Sequence, residues 1–309
     1  MQRTRFASLL SRTATRQGMI HQQGWMTPMA RPIVLQQRSL TSLTNDQRPP
    51  AIKVTKHPES PEIAIMTLSQ SAFSHDTARL MIEEWRAMEQ DKSVRAVMLK
   101  SDLKSIFCAG IEFGEFMKGP ESFGNYWKTI REVFDVIYSS RLNTAAAMHG
   151  HSLGLGCVLG MACQDRFMVG NTPKPATIGL NEVAVGVPVP HWLVELFAHI
   201  TSRRHAERLL PLGRILSVQE AVQTGLVDKA DFSSQQEMEE FVIRYLVGRN
   251  KAPRVAQSET MRVIRLNFLN FFRASAEEDV ATIVKYVQEE EAQSVLKAQI
   301  ARLAEKSKR

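Results

Sequence analysis

Residues 145–165 read AAAMHGHSLGLGCVLGMACQD, and Gly150-His151-Ser152-Leu153-Gly154 within them has the form of a nucleophile elbow. In such an elbow a serine on a strained strand-to-helix turn attacks esters, and its acid and histidine partners follow in that order, the histidine near the C-terminus. Here the last histidine is His205, and none occurs in the 104 residues after it. His191, His199 and His205 fall in what reads as one helical stretch, and no glycine-rich histidine motif upstream supplies an oxyanion hole. Ser152 is therefore read as a small residue filling the turn. A dinucleotide site fails too, because the glycine that follows Gly154-Leu155-Gly156 comes at 160, the wrong spacing. What the turn can offer is backbone: glycines let the main chain approach a ligand, and N–H groups at a helix start point outward, unpaired and partly positive.

Downstream, ATIGLNEVAVGVPVP (176–190) holds Glu182 as its only charged residue among fifteen. A carboxylate in apolar surroundings has its charged form disfavoured, so its pKa rises toward the range where it can take and return a proton. The alternatives are a surface glutamate at a loop tip, or one paired with an arginine such as Arg166. A third stretch, KSIFCAGIEFGEF (104–116), places Ala109-Gly110 at a strand end and offers a second exposed amide. Two amide-bearing turns and one shielded acid are what stabilising an enolate requires: donors for the oxyanion and a base for the carbon acid.

The elements that must position these groups alternate. Residues 45–61 carry four prolines and read as a loop or an interrupted edge strand around Ile52–Thr55. A strand over 62–68, a helix over 77–90 with Met81, Trp85 and Met88 at helical spacing, and a strand over 94–100 follow. A further helix carries Phe123, Trp127, Ile130, Phe134 and Ile137 on one face, and a buried strand over 143–150 leads into the glycine turn. This alternation to about residue 190 predicts an α/β fold with mostly parallel pairing, and a helical pattern beyond it. Ser217-Val-Gln-Glu220 and Ser275-Ala-Glu-Glu278 both have capping-box form, and Val280, Ile283, Val284 and Val287 continue the second as an apolar stripe.

At 309 residues, 44% hydrophobic and 23% charged, the chain can bury a large core and is not a disordered one. Its net charge of +7 is concentrated at the start: residues 1–44 hold six arginines, no lysine and no acid, which leaves +1 for residues 45–309. A leader of that composition, rich also in serine, threonine and glutamine, predicts a mitochondrial transit peptide over 1–44, with a disordered basic arm as the alternative. No segment approaches a membrane span. Three cysteines, Cys108, Cys157 and Cys163, lack the paired spacing of a zinc or redox site and suit a reducing interior. His149 and His151 lie two apart, but no third ligand follows at metal spacing, so no metal is expected.

IFCAGIEFGEF, AAAMHGHSLGLGCVLGMACQDRFMV, IGLNEVAVGVPVPHWL and HAERLLPLGRILSVQEAVQTGLVD, in this order and spacing, resemble the enoyl-CoA hydratase/isomerase (crotonase) superfamily over roughly residues 50–300. The Gly-Leu-Asn-Glu run is similar to that of its mitochondrial Δ3,Δ2-enoyl-CoA isomerase branch. The resemblance implies a crotonase-type spiral of ββα units over 45–245, closed by a C-terminal helical oligomerisation module over 246–309, and assembly as a homotrimer or hexamer. It implies an acyl-CoA substrate, no cofactor beyond the coenzyme A carried by that substrate, and the mitochondrial matrix as the place of action. It also implies that the thioester oxygen is held by the amides of Ile111, after the Ala109-Gly110 pair, and Leu155. Glu182 is then the single proton carrier that moves the double bond of a 3-enoyl-CoA to the 2-trans position in unsaturated fatty-acid β-oxidation.

Hydratases of the family carry a second glutamate at the position of Val158, so water activation is poorly supported here, and Glu115 is the one other acid near the motifs. Leu155 stands where relatives often have glycine, Glu112 replaces the usual aspartate, Gln164-Asp165 shifts an acid, and LSQSAFS (68–74) lacks a common asparagine. These departures bear on chain-length preference and turnover. The other readings are a hydratase or other acyl-CoA enzyme of the same fold, or a non-catalytic RNA-binding relative. The last would need a basic face joined to aromatics, and a chain of net charge +1 beyond its leader does not supply one, so no nucleic-acid partner is expected.

Overall fold

The computed structural model describes residues 50–172 and 176–307. The leader expected over 1–44 lies outside them. The described chain begins with β1 (Ile52–Lys56) and β2 (Ile63–Leu68), which pair antiparallel with Ile52 opposite Leu68, so the expected edge strand forms. α1 (His75–Gln90) is capped by Ser74, whose hydroxyl accepts from the Thr77 amide, and it buries Met81, Trp85 and Met88. β3 (Ala96–Ser101) lies parallel to β2, and β4 (Ile106–Cys108) leaves for a second sheet. α2 (Pro120–Tyr138) opens on a proline, where a missing N–H leaves no gap, and buries the apolar face read from its spacing.

The chain then runs through the buried strand β5 (Asn143–Met148), β6 (His151–Leu153), α3 (Leu155–Ala162), β7 (Asp165–Val169) and β8 (Thr177–Gly179). Beyond them come α4 (His191–Ile200), α5 (Arg203–Leu209), β9 (Leu216–Ser217), α6 (Val218–Gln223) and β10 (Lys229–Phe232). Four helices follow: α7 (Gln235–Arg249), α8 (Arg254–Ala274), α9 (Ala276–Gln288) and α10 (Glu290–Ser307). Residue 245, expected to close the core, lies within α7.

Two sheets result. The larger is ordered β1-β2-β3-β5-β7-β10 and is parallel except for β1, and the smaller is ordered β4-β6-β8-β9 and is parallel except for β9. The large sheet is covered on both faces, as parallel sheets require. Successive residues of β3 show why: Ala96 and Met98 pack with Met238, Val242 and Leu246 of α7, whereas Val97 and Leu99 join the core that holds Trp85, Phe123 and Phe134.

Three expectations need correction. The pattern beyond residue 190 is not purely helical, since β9 and β10 return to the two sheets; their two and four residues are too short to show a period. The stretch holding His191, His199 and His205 is two helices, broken at Thr201, with the Ser202 hydroxyl capping α5 by accepting from the His205 amide. The capping box at Ser217 forms, but the one at Ser275 does not. Ser275 already has near-helical backbone angles between α8 and α9, and its hydroxyl donates back to the Phe272 carbonyl, so it cannot turn toward the next helix.

α9 docks on α2 through one buried ion pair. Arg131 donates to Asp279 at 2.7 Å, the Trp127 indole donates to the same carboxylate at 2.8 Å, and the guanidinium stacks over Phe272 at 4.1 Å. Only 5% and 8% of the two charged side chains is exposed, so removing one partner strands the other's charge. We expect Asp279→Ala to lower the unfolding free energy by about 3 kcal/mol or more, read from a urea titration with an unchanged m-value.

Candidate active site

Three parallel strands of the small sheet deliver the three motifs to one edge. β4 pairs with β6, with Cys108 opposite Ser152, and β6 pairs with β8, with Leu153 opposite Gly179. The strands end together, so the segments leaving them, Ala109-Gly110-Ile111, Gly154-Leu155 and Leu180-Asn181-Glu182, lie side by side. The first two nearly touch: a methyl group built on Gly110 would lie 3.3 Å from the Leu153 carbonyl oxygen and 3.6 Å from the Leu155 nitrogen. The Gly154 amide donates to the Gly179 carbonyl at 3.0 Å, and a methyl group on Gly154 would lie 3.8 Å from Glu182 Oε1 and 3.4 Å from Asn181 Oδ1.

Two glycines make this closeness possible. Gly154 holds φ at +51°, where a side chain would be strained, and turns β6 directly into α3. A Cβ on Gly156 would sit 2.3 Å from the Cys108 carbonyl oxygen, so only glycine lets the first turn of α3 rest on the end of β4.

The backbone amides can be accounted for one at a time. The Ala109 amide donates to the Ser71 carbonyl at 2.6 Å, that of Gly110 to Cys108 Sγ at 3.4 Å, and that of Glu112 to the Phe73 carbonyl at 3.0 Å. Phe73 and Ile111 form an isolated parallel bridge that uses the Gly110 carbonyl and the Glu112 amide, which turns the Ile111 amide to the opposite side. Leu155 is the first residue of α3, so its amide has no acceptor within the helix. Of the residues singled out in these turns, Ile111 and Leu155 carry the amides left over, and Ala109 and Gly110 shape the turn that presents one of them.

Glu182 opens a short 3-10 turn at Val183–Val185, and its own carbonyl accepts from the amides of Val185 and Val187, both at 3.0 Å. The residue is partly exposed, yet its Oε2 atom is buried and has no hydrogen-bond partner among the described residues. Loss of hydration pushes its pKa up from 4.5 to about 7, against a smaller opposing pull from its own backbone amide. The pairing with Arg166 held open above is absent: Arg166 bridges to Asp228 at 3.2 Å and donates to the Leu226 carbonyl. Glu115 is also committed elsewhere, since its Oε1 accepts from the His75 amide at 3.2 Å and from Lys118 Nζ at 2.8 Å. Val158, one turn into α3, is a buried apolar residue. Ser152 is fully buried, and its hydroxyl donates to the Gly150 carbonyl at 3.3 Å. His151 meets Thr177 Oγ1 and His149 meets the Leu103 carbonyl, so the two histidines serve separate partners.

Sequence reasoning missed two parts of this region. The Asn181 carboxamide shares the space over Gly154 with Glu182; its place beside Glu182 was the available signal. α10 packs against two 3-10 turns, residues 113–117 and 183–185. A methyl group on Gly186 would lie 3.2 Å from Ala292 Cα, and Ala292 and Leu296 are buried, so the C-terminal helix closes this side from within the same chain. No local pattern in residues 290–307 shows which surface they will cover.

The sequence pattern described as "Enoyl-CoA hydratase/isomerase" matches residues 59–308. The chain belongs to that family. Its fold is the crotonase fold, a mixed α/β spiral closed by C-terminal helices. It is 38% identical over 143 residues to "Enoyl-CoA delta isomerase 1, mitochondrial" of Mus musculus, covering 46% of this chain and 49% of that protein. The match therefore spans about half of that relative's length. The Homo sapiens protein of the same name is 29% identical over 219 residues, 71% of each chain. The crystal structure of human mitochondrial delta3-delta2-enoyl-CoA isomerase superposes with a TM-score of 0.78 at 25% identity, covering 83% of this chain and 99% of that one. An enoyl-CoA hydratase from Bacillus halodurans shares the fold at a TM-score of 0.73 and 17% identity, covering 81% and 100%. The function of the family is enoyl-CoA isomerisation or hydration. Among the described residues no helix is long and apolar enough to cross a membrane.

Burial of Glu182 has a thermodynamic signature in this member of the family. Between the ordinary pKa of 4.5 and the raised value of about 7, the folded chain keeps a proton that the unfolded chain has lost, so stability falls as pH rises through this window. The cost is complete above about pH 7 and absent below about pH 4.5. We expect Glu182→Gln to gain about 3 kcal/mol relative to the parent chain between pH 4.5 and pH 8, measured by paired urea titrations.

Proposed function

We propose that the chain isomerises 3-enoyl-CoA esters to 2-trans-enoyl-CoA, with Glu182 as the single proton carrier and the Ile111 and Leu155 amides as donors to the thioester oxygen. One observation carries this reading. Glu182 holds a buried, unpartnered carboxylate oxygen beside the turn that leads to the Leu155 amide. A carboxylate deprived of water binds a proton firmly enough to remove it from C2, and with a pKa near 7 it can release it again.

The bond changes follow. Glu182 takes the C2 proton, the C–H electron pair forms a C1–C2 double bond, and the carbonyl electrons move onto oxygen to give a dienolate. Two amides facing that oxygen stabilise the negative charge where it develops. The carbonyl then re-forms, the C1–C2 electron pair moves to C2–C3, and the C3–C4 pair takes the proton back from the same carboxyl at C4. Only protons and electron pairs move within one substrate, so no cofactor is called for beyond its coenzyme A. Ala109 and Gly110, whose amides are already used, contribute the shape of the turn.

Val158 favours isomerisation over hydration. Adding water needs a second group to position and activate it, and an apolar residue at this place in α3 cannot do so. Leu155, the departure from glycine noted above, keeps its amide at the helix start, and its side chain is only 4% exposed, packed in the core. Assembly as a trimer or hexamer is supported by the outer face of α8, where Val255, Val263 and Ile264 are 74%, 59% and 61% exposed. The mitochondrial names of the relatives and the arginine-rich leader support the matrix as its location, with unsaturated fatty-acid β-oxidation as the process served.

Purified protein lacking the leader should isomerise 3-hexenoyl-CoA, with kcat/KM rising with pH through about 7 as Glu182 ionises. Glu182→Gln should lose roughly 10²- to 10⁴-fold in kcat, and full activity in that variant would remove Glu182 from the reaction. In the parent chain, hydration of 2-hexenoyl-CoA should run at least about a hundredfold slower than isomerisation, followed by the loss of enoyl-thioester absorbance.

A further inference from the structure

We propose that Glu115 and Tyr126 are positioning residues that hold the Ile111 amide in its oxyanion-facing direction, by clamping the Phe73–His75 segment against the turn at 109–112. The proposal rests on the reading of Ile111 as an oxyanion donor.

A peptide on a short loop aims its amide only as well as its neighbours are held. At Ile111 the holding is done by Phe73, whose amide donates to the Gly110 carbonyl at 2.9 Å and whose carbonyl accepts from Glu112 at 3.0 Å. Phe73 sits between β2 and α1 and needs anchoring of its own. Two buried side chains supply it. The Tyr126 hydroxyl donates to the Phe73 carbonyl at 2.6 Å, from a fully buried position on α2. The Glu115 carboxylate, only 4% exposed, accepts from the His75 amide two residues further on. His75 is tied a second time, its Nε2 meeting Thr129 Oγ1 of α2 at 2.9 Å, and its ring lies edge-on to Tyr126 at 5.6 Å.

Burying a carboxylate is unfavourable unless it is hydrogen-bonded and paired, and Glu115 is both. Its partner cation, Lys118, is 53% exposed and three residues along the same segment. A charge sunk into the protein at this cost has a use in joining the 113–117 turn to the start of α1, with the Ile111–Phe73 bridge between them. Glu115 is therefore assigned to geometry: its Oε1 is shared by the His75 amide and Lys118.

The test separates oxyanion geometry from ligand binding in general. A 3-ketoacyl-CoA ionises at C2 to an enolate with its own ultraviolet absorbance, and it needs the oxyanion donors without needing proton transfer to C4. An alkyl-CoA thioether, which has no carbonyl, reports binding alone. With the full mature chain, Glu115→Ala and Tyr126→Phe should each weaken enolate binding tenfold or more while changing thioether affinity less than threefold. The kcat for 3-hexenoyl-CoA should fall by a similar factor with KM little changed. Glu115→Gln keeps an oxygen for the His75 amide and should recover most of the enolate affinity. Tyr126→Phe removes a single oxygen and keeps the ring, so it tests the clamp even where Glu115→Ala fails to fold by circular dichroism.

Equal losses for both ligands, or unchanged enolate binding in both Tyr126→Phe and Glu115→Ala, would overturn the clamp. A parent chain that binds the enolate but does not isomerise 3-hexenoyl-CoA overturns the isomerase reading and leaves the clamp to be judged on enolate affinity. A parent chain that binds neither ligand overturns both.

Discussion

One oxygen of Glu182 has been taken out of water without a hydrogen bond from any described residue, and its surroundings are arranged around that state. Buried polar atoms almost always find partners, because leaving one unsatisfied costs free energy. Among the described residues none is offered: Arg166 is turned to Asp228, and residues 183–190 bring no charge. The result is a carboxyl group that gains or loses a proton near neutral pH. In the proposed reaction that property is the base, and the unpartnered oxygen is where the substrate's C–H would come.

The second constraint is steric. Three parallel strands, β4, β6 and β8, end on one line, and their exits must pass within contact distance of each other. Gly156 resting on the Cys108 carbonyl is what permits it, and any larger residue would push α3 away from β4. Once they are that close, the Ile111 and Leu155 amides, which have no hydrogen bond to a described residue, lie on adjoining turns. Donors fixed by packing need no rearrangement when charge develops, which is why such an arrangement favours an oxyanion over a neutral carbonyl. The covering on the outside comes from α10 folding back over the 3-10 turn after Glu182, so the last helix of the chain contributes to enclosing a site built by its middle.

Much of the architecture was legible because its signals are local. The apolar spacing of α1 and α2, the alternation of strands and helices to residue 179, and the capping box at Ser217 all depend on residues within a turn or two of one another. β9 and β10 escaped because two or four residues cannot establish a period, and their pairing is supplied by strands far away in the chain. Ser275 misled because Ser-x-x-Glu describes composition, whereas capping requires a backbone bend that the tight α8–α9 junction does not make. For the site, Glu182 stood out as a lone charge in an apolar run, and the Ala109-Gly110 and Gly154-Leu155 turns stood out as glycine at element boundaries.

By itself the amino-acid sequence determined the residue types at hand: one acid in an apolar stretch, two glycine turns at strand ends, and a first 44 residues whose six arginines account for most of the net charge. Only the tertiary structure decided which of them meet. That Ile111 and Leu155 keep the free amides follows from hydrogen bonds made by residues 71, 73, 108 and 179. That Arg166 does not serve Glu182 follows from where Asp228 is placed. Residue type is a local property of the chain, but the hydration of a carboxylate and the direction of an amide are set by neighbours distant in sequence, and these exist only once the strands have paired.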